Sequence, residues 1–572
     1  MTPSKVTLGS WSGFWGDSSA AAEQLLGAEI DYLVGDHLAE ITMALLARAR
    51  AKDPEAGFIP DVVATLTPLL PTLHERGVKV VTNGGGLNPA ACAAALQEAA
   101  GDALKVAAVL GDDVSGQHAA LRTSGATDMF TGKPVPEHVL TMNAYLGARP
   151  IAEALRMGAD IVVTGRCADS AVVLGPLLHE FDWGDDEYDK LSAGTLLGHL
   201  VECGPQGVGG LFTDWADVPG WDNMGYPIAE VHPDGTAIIT KPAGTGGLVT
   251  PASVAEQLLY EIGDPGAYLM PDVVCDWRSV TLELEGPERV RVSGALGRAP
   301  TTTFKATTTS LNGFRVVTNF MFAGVDAEGR ARKAGEAILA RTERLAGVKL
   351  EASSVEVVGD AASGGAVVKV AARHPERGPL EILGRELASL ALVAQGMTGF
   401  FAGRPKPAPV IELTHLLVPK ADVPVSVSLG GETHPVAVAP GDPSTDISTP
   451  ELGPQDAPEG ETVRVPLVLI AHGRSGDKGN HANIGLRARS PELYPVLLEQ
   501  VTRDRIAAFF ADFFDGVVHA WELPGLHAVN FLLEDVLGGR GGTSSLRFDP
   551  QGKSYAAMLL GIEVDVPQAL LH

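Results

Sequence analysis

The chain predicts an α/β region with a doubly wound, mostly parallel sheet. This continues into an α+β region and ends in a small ferredoxin-like α+β domain. Three observations carry this expectation. Apolar runs and helical patterns alternate through residues 1–225, and the runs are nearly continuous, as in parallel strands covered on both faces. The pattern changes near residue 226 to shorter strand-like runs with helices between and after them. Residues 432–462 then hold six prolines, seven acidic side chains and no Lys or Arg, which marks off the C-terminal unit.

Each element follows from its local pattern. "KVTLGS", "IDYLVGD", "VKVVTNGGG", "LKVAAVLGDD" and "ADIVVTGR" read as strands, and all but the fourth run directly into a helical pattern. A (β/α) barrel is the competing arrangement for five such units. In residues 226–431, "AIITK", "SVTLEL", "RVRVSGAL" and "FRVVTNFMFAG" read as strands of an antiparallel or mixed sheet. "SVAEQLLYEI", "ARKAGEAILARTERLA" and "LEILGRELASLALVAQG" read as helices. Residues 432–462 read as a linker unable to order itself. In residues 463–572 the expected order is strand "RVPLVLIAHG", a polar loop, strand "NIGLRAR", helices across 491–514, strand "GVVHAWEL" and helix "HAVNFLLEDVLGG". Strands "SSLRFD" and "SYAAMLLGIEVDV" follow.

Composition narrows the function. The chain has 572 residues, 45% hydrophobic and 20% charged, with a formal net charge of -27. Nucleic acid and anionic membranes are poor partners for so acidic a surface, whereas a small anion needs only local positive charge. Cys92, Cys167, Cys203 and Cys275 are dispersed, with no C-x-x-C pair to hold a metal. They suggest a reducing, cytoplasmic compartment. Neither a signal-peptide core nor a membrane-length apolar run is evident. The Ala/Gly/Arg-rich usage has a bacterial cast, and a homo-oligomer is the default for such a protein.

Ligands of open α/β sheets sit beyond the carboxyl ends of the strands, so the turns there are the candidate sites. "TNGGGLNP" offers Asn83, Gly84, Gly85, Gly86 and Asn88, with Asn88 as N-cap and Pro89 at the first helical position. Such a turn can cradle a phosphate or carboxylate, or merely be tight. Its spacing fits neither the dinucleotide fingerprint nor the Walker loop. Asp112 and Asp113 could hold Mg²⁺ or move a proton, or simply cap a helix. Arg166 could clamp an anion or pair with Asp169, and Asp169 or Ser170 would cap the next helix. Cys167 reads as a packing residue. Asp36 and Glu40, one helical turn apart beside His37, could set two carboxylates on one face, but a solvated acidic turn complementing the helix dipole is the preferred reading. Lys241, Gly246 and Gly247 form another Gly-rich turn before a helix started by Thr250 with Pro251 or by a Ser253/Glu256 box.

The densest stretch is "HGRSGDKGNHANIG", residues 472–485. Arg474 and Lys478 supply positive charge, His481 a group titrating near neutrality, and Asp477 a carboxylate to orient His481 or pair with Lys478. Ser475, Asn480 and Asn483 add hydrogen-bonding groups suited to a substrate or an oxyanion. Lys478, His481, Asp477 and Asp112 are therefore the candidate catalytic residues, with the others binding substrate.

Several of these stretches resemble a known family. "NGGGLNP", "VVTGRCADSA", "GYPIAEV", "ITKPAGTGGLVTPASVAEQLLYEIGDP", "RSGDKGNHANIG" and "LPGLHAVNFLLEDVLGGRGGTSSLRFDPQGK" are similar to the acyclic-terpene-utilisation (AtuA-type) family. The resemblance implies a large domain fused to a small ferredoxin-like one across an intimate interface. It also implies catabolism of branched acyclic terpenoids as acyl-CoA thioesters. It carries no catalytic residue across. The expected function is hydratase or lyase chemistry by acid–base groups on an acyl-CoA or related anionic carbonyl compound. No cofactor is expected beyond CoA as part of the substrate. The competing expectations are a Mg²⁺-assisted hydrolase or transferase and a non-catalytic acyl-CoA-binding or scaffold subunit.

Overall fold

The computed structural model describes residues 3–360, 364–400, 403–453, 460–539 and 544–571. An 11-stranded sheet organises the large domain. Its centre is five parallel strands: β1 (Val6–Ser10), β2 (Tyr32–Gly35), β3 (Lys79–Thr82), β4 (Val106–Leu110) and β6 (Ile161–Thr164), in the spatial order β1-β2-β3-β6-β4. These are the five runs read from the sequence. Their side chains are buried on both faces, against two separate clusters of helix side chains, which is why the runs show no alternation.

The sheet does not stop at residue 225. Strands Ile228–Val231, Ala237–Thr240, Arg289–Ser293 and Thr281–Gly286 extend it antiparallel beyond β1, and Ser426–Leu429 and Glu432–Pro435 extend it beyond β4. The last strand corrects the linker expectation. Glu432–Pro435 pairs with Ser426–Leu429, and beyond it Asp442 N donates to Pro300 O and Thr449 N to Asp264. A proline-rich segment gains no core of its own but can lie as a strap on a finished surface through backbone bonds.

A second, six-stranded sheet is built on one long strand, Thr303–Ala323. Its first half pairs with Ala408–Pro419 and with β5 (Thr141–Ala144), and its second half with Gly365–His374. Strand β5 was not foreseen. Through it, this sheet reaches the carboxyl ends of β4 and β6.

The C-terminal unit has its own core and a four-stranded antiparallel sheet. The order is Ala471–Lys478, His481–Ala488, Ala528–Leu533, Val518–Leu523. Three expectations are corrected here. The polar stretch 472–485 is a β-hairpin, not a loop. The run from His527 forms a strand, not a helix. Val529, Phe531 and Leu533 fill the small core while Ala528 and Asn530 are buried against the large domain, so both faces are covered and the run lacks a clean apolar/polar alternation. Residues 544–549 form no strand, and Tyr555–Leu559 is a helix preceding strand Glu563–Pro567. No helix among the described residues is long and apolar enough to cross a membrane.

Candidate functional site

The parallel strands deliver Asp36, Asn83, Asp112, Arg166 and Asp169 to one edge of the sheet, at their carboxyl ends. Arg166 is the centre. Its Nη1 donates to Leu38 O at 3.0 Å and to Asp169 Oδ1 at 2.7 Å, and its guanidinium lies 4.2 Å from the ring centroid of Tyr145. The Arg166–Asp169 pair therefore exists, as one of the two sequence readings had it. Tyr145 donates to Glu40 and accepts from Thr307 Oγ1, which also meets His415 Nδ1 at 3.0 Å. Lys305, on the long strand, stands 4.9 Å from the same Tyr145 ring.

The C-terminal hairpin closes this edge. Alternate residues of its first strand, His472, Arg474, Gly476 and Lys478, face the large domain. Lys478 lies over the Tyr268 ring at 5.3 Å and within the field of Asp169, Glu202 and Glu261. Asp477 hydrogen-bonds Glu261 and feels Glu40. Residues 477–478 thus meet Arg166 and Asp169 in one composite cleft.

The carboxylates at this contact are not sealed off from solvent. Asp169 keeps 39% of its side-chain surface and Glu261 31%, yet desolvation dominates the acidity of both. Burial raises Asp169 despite Arg166, and lifts Asp477 to about 6. Burial together with Asp477 raises Glu261 well above the carboxylate range. Glu40 behaves oppositely: burial would raise it, but Arg166 and Lys305 outweigh that and hold it down at about 2. For Lys478, burial opposes the charge, and Tyr268, Glu261, Glu202 and Asp169 more than restore it, leaving it raised.

Several expected site residues have other work. The triple-glycine turn is packed, not open. A Cβ at Gly84 would stand 2.4 Å from Val62 Cγ2 and one at Gly85 2.5 Å from Thr164 O, while Gly86 takes φ +53. Gly84 N, Gly86 N and Asn88 N all donate within the turn, so these donors form no phosphate cradle. Asn83 wires Asp36 to His37 N. Asn88 caps the helix Pro89–Ala100 as expected, its Oδ1 accepting from Ala91 N at 3.3 Å. Asp112 is buried, accepting from Arg166 N at 2.9 Å and Asn143 Nδ2 at 2.8 Å, and burial raises it to about 6. Asp113 is exposed and turns into a separate surface pocket with Arg50 and Ser115, so the two do not converge on a shared cation. Ser170 is buried and makes no side-chain cap. Lys241 donates to Thr245 O, and Gly246 and Gly247 pack against Gly220 and Val208.

In the hairpin, Arg474 spends its Nη groups on Leu211 O and Gly210 O, both at 3.1 Å, and Ser475 accepts from Ala556 N. Asn483 bonds Glu261 N, Leu259 O and Asn530. Asn480 bonds Asp535 and Gly539 N. His481 Nδ1 accepts from Asp535 N, and its ring meets Phe130 at 5.4 Å, at the rim and not beside Asp477. The acidic pair is not the solvated turn its sequence suggests: Asp36 is buried and Glu40 accepts from Tyr145 in the cleft.

Sequence reasoning missed Tyr145, Lys305, Glu202, Glu261, Tyr268 and His415. Lys305 left one signal, a lone basic residue inside "TTTFKATTTSL". Glu261 left none, because its left-handed φ of +54 stands where glycine is usual.

Residues 6–429 match the acyclic terpene utilisation family protein AtuA, and residues 465–565 match the AtuA ferredoxin-like domain. The chain belongs to the AtuA family. No functionally curated protein matches it. The two matched regions of this AtuA-family chain are the two bodies whose contact forms the cleft.

Proposed function

We propose that this AtuA-family chain is a catabolic enzyme performing hydratase or lyase chemistry on an acyl-CoA or related anionic carbonyl compound of the branched, acyclic terpenoid type. One observation carries the reading. Lys305 and Lys478 present ammonium groups to a single cleft, and among the described residues neither has a salt-bridge or hydrogen-bond partner there. In a chain of net charge -27, two half-buried cations without an ion-pair partner form a site that an anion would complete.

The acid–base groups lie beside these cations. Asp477 and Glu261, both raised by burial, form an acidic pair able to carry one proton, with Lys553 3.5 Å from Glu261. They suit the acid that protonates a leaving hydroxyl. Asp169, positioned by Arg166, suits the base that takes a proton next to the carbonyl, and Lys478 would face the enolate oxygen. An acid group near pH 6 makes the rate fall as pH rises through that region. The test is incubation with branched acyl-CoA thioesters and their free acids, following mass change. Gain or loss of water by the wild type, reduced 10²- to 10⁴-fold or so in Asp169→Asn, is expected. Binding without turnover by the wild type would instead make the chain a non-catalytic acyl-CoA-binding subunit.

A further inference from the structure

The two unpaired lysines differ in their surroundings, and the difference gives them different chemistry. The buried lysines Lys420 and Lys369 spend their protons: Lys420 donates to Pro271 O at 2.7 Å, and Lys369 to Leu546 O at 2.9 Å. Lys305 does neither. Its backbone is held, since Tyr145 N donates to Lys305 O at 2.9 Å, while its Nζ stands over the same Tyr145 ring that the Arg166 guanidinium contacts. Acidic groups surround Lys478, namely Asp169, Glu202, Glu261 and the Tyr268 hydroxyl. Facing Lys305 are two cations, Lys478 and Arg166, and the carboxylates Glu40 and Asp169.

We infer that Lys305 is a nucleophile that forms an imine with the carbonyl of an oxo acid whose carboxylate is held by Lys478. The inference rests on the proposed anionic carbonyl substrate and names its subclass, a 2- or 3-oxo acid. A lysine becomes a nucleophile when desolvation or a neighbouring cation favours its neutral amine. Here burial, Lys478 and Arg166 lower the proton affinity of Lys305, and Glu40 and Asp169 only partly oppose them. The neutral Nζ attacks the carbonyl carbon, the carbinolamine forms, and loss of one water leaves C=N in place of C=O. No oxidant or reductant is consumed. The protonated imine then accepts the electron pair released when a bond β to it breaks, which is a lyase step. The Tyr145 ring lies 4.9 Å from the nitrogen, and its hydroxyl, which donates to Glu40, suits proton handling there.

The experiment uses the full chain with pyruvate, acetoacetate and 3-methyl-2-oxobutanoate, each with sodium cyanoborohydride, followed by intact mass and peptide mapping. The expected result is one adduct per chain, the mass of the oxo acid less one oxygen, located on Lys305 and forming at least ~10-fold faster than adducts on exposed Lys52 or Lys133. Lys305→Arg should lose the adduct while keeping the melting temperature, and Lys478→Ala should slow it. Modification of Lys305 no faster than of Lys52 with all three acids overturns the inference. Thermal shift by the same acids without reduction separates the two readings. A shift without an adduct removes the imine and leaves the anion site, whereas no shift and no adduct removes both.

Discussion

Glu40 tests the electrostatics of the cleft at the scale of one residue. Its carboxyl is held at about 2 by Arg166 and Lys305 against the cost of burial, from an ordinary 4.5. A depressed carboxylate stabilises the fold above its unfolded value and loses that contribution as pH falls toward the folded one. Glu40→Gln should therefore cost about 1–3 kcal/mol at pH 7, and the gap should close between about pH 4.5 and 2 in denaturant titrations at stepped pH. A gap unchanged at pH 2.5 would refute the assignment. At this scale the sequence was legible where one side chain carries its own chemistry: Arg166, Asp169 and Lys478 stand out by type. Lys305, Tyr145 and Glu261 do not, because their significance lies in neighbours more than a hundred residues away.

The hairpin Ala471–Lys478 and His481–Ala488 shows what one element does with its glycines. In a loop they would loosen the backbone. Instead they let a sheet face lie flush on another domain. A Cβ on Gly485 would stand 2.4 Å from Leu259 Cβ, and one on Gly476 2.4 Å from Tyr260 Cε2. Gly485→Ala should cost about 1–3 kcal/mol by overpacking, read as a lower melting temperature and faster proteolysis in residues 436–453. An unchanged melting temperature would mean that the seam is looser than described. The period-two alternation of His472, Arg474, Gly476 and Lys478 was present in the sequence, but polar residues on both faces concealed it. A strand whose outer face is covered by a polar domain interface has no clean apolar pattern to read.

For the whole molecule, the cleft exists only while both domains are in contact. Asn483 and Asn530 bridge them through Glu261 N and the carbonyls of Leu259, Ile262 and Gly263. Asp214 meets Arg489 at 2.6 Å and His472 at 3.1 Å. A protease site inserted between Gly453 and Gly460 should, after cleavage, leave two fragments that co-elute. Their melting should still respond to an anionic ligand as the intact chain does. Fragments that separate on gel filtration at micromolar concentration would show that the covalent strap, not the seam, holds the cleft together.

The sequence by itself determined the five parallel strands, the helix cap at Asn88 and the division into a large and a small domain matched by the family. Those features rest on local apolar runs, turn residues and composition. Only the tertiary structure decided that the triple-glycine turn is packed, that Glu40 faces inward, and that Lys305 and Lys478 share one recess. Burial, and with it the charge state and reactivity of an ionisable group, is set by what the rest of the chain places around it.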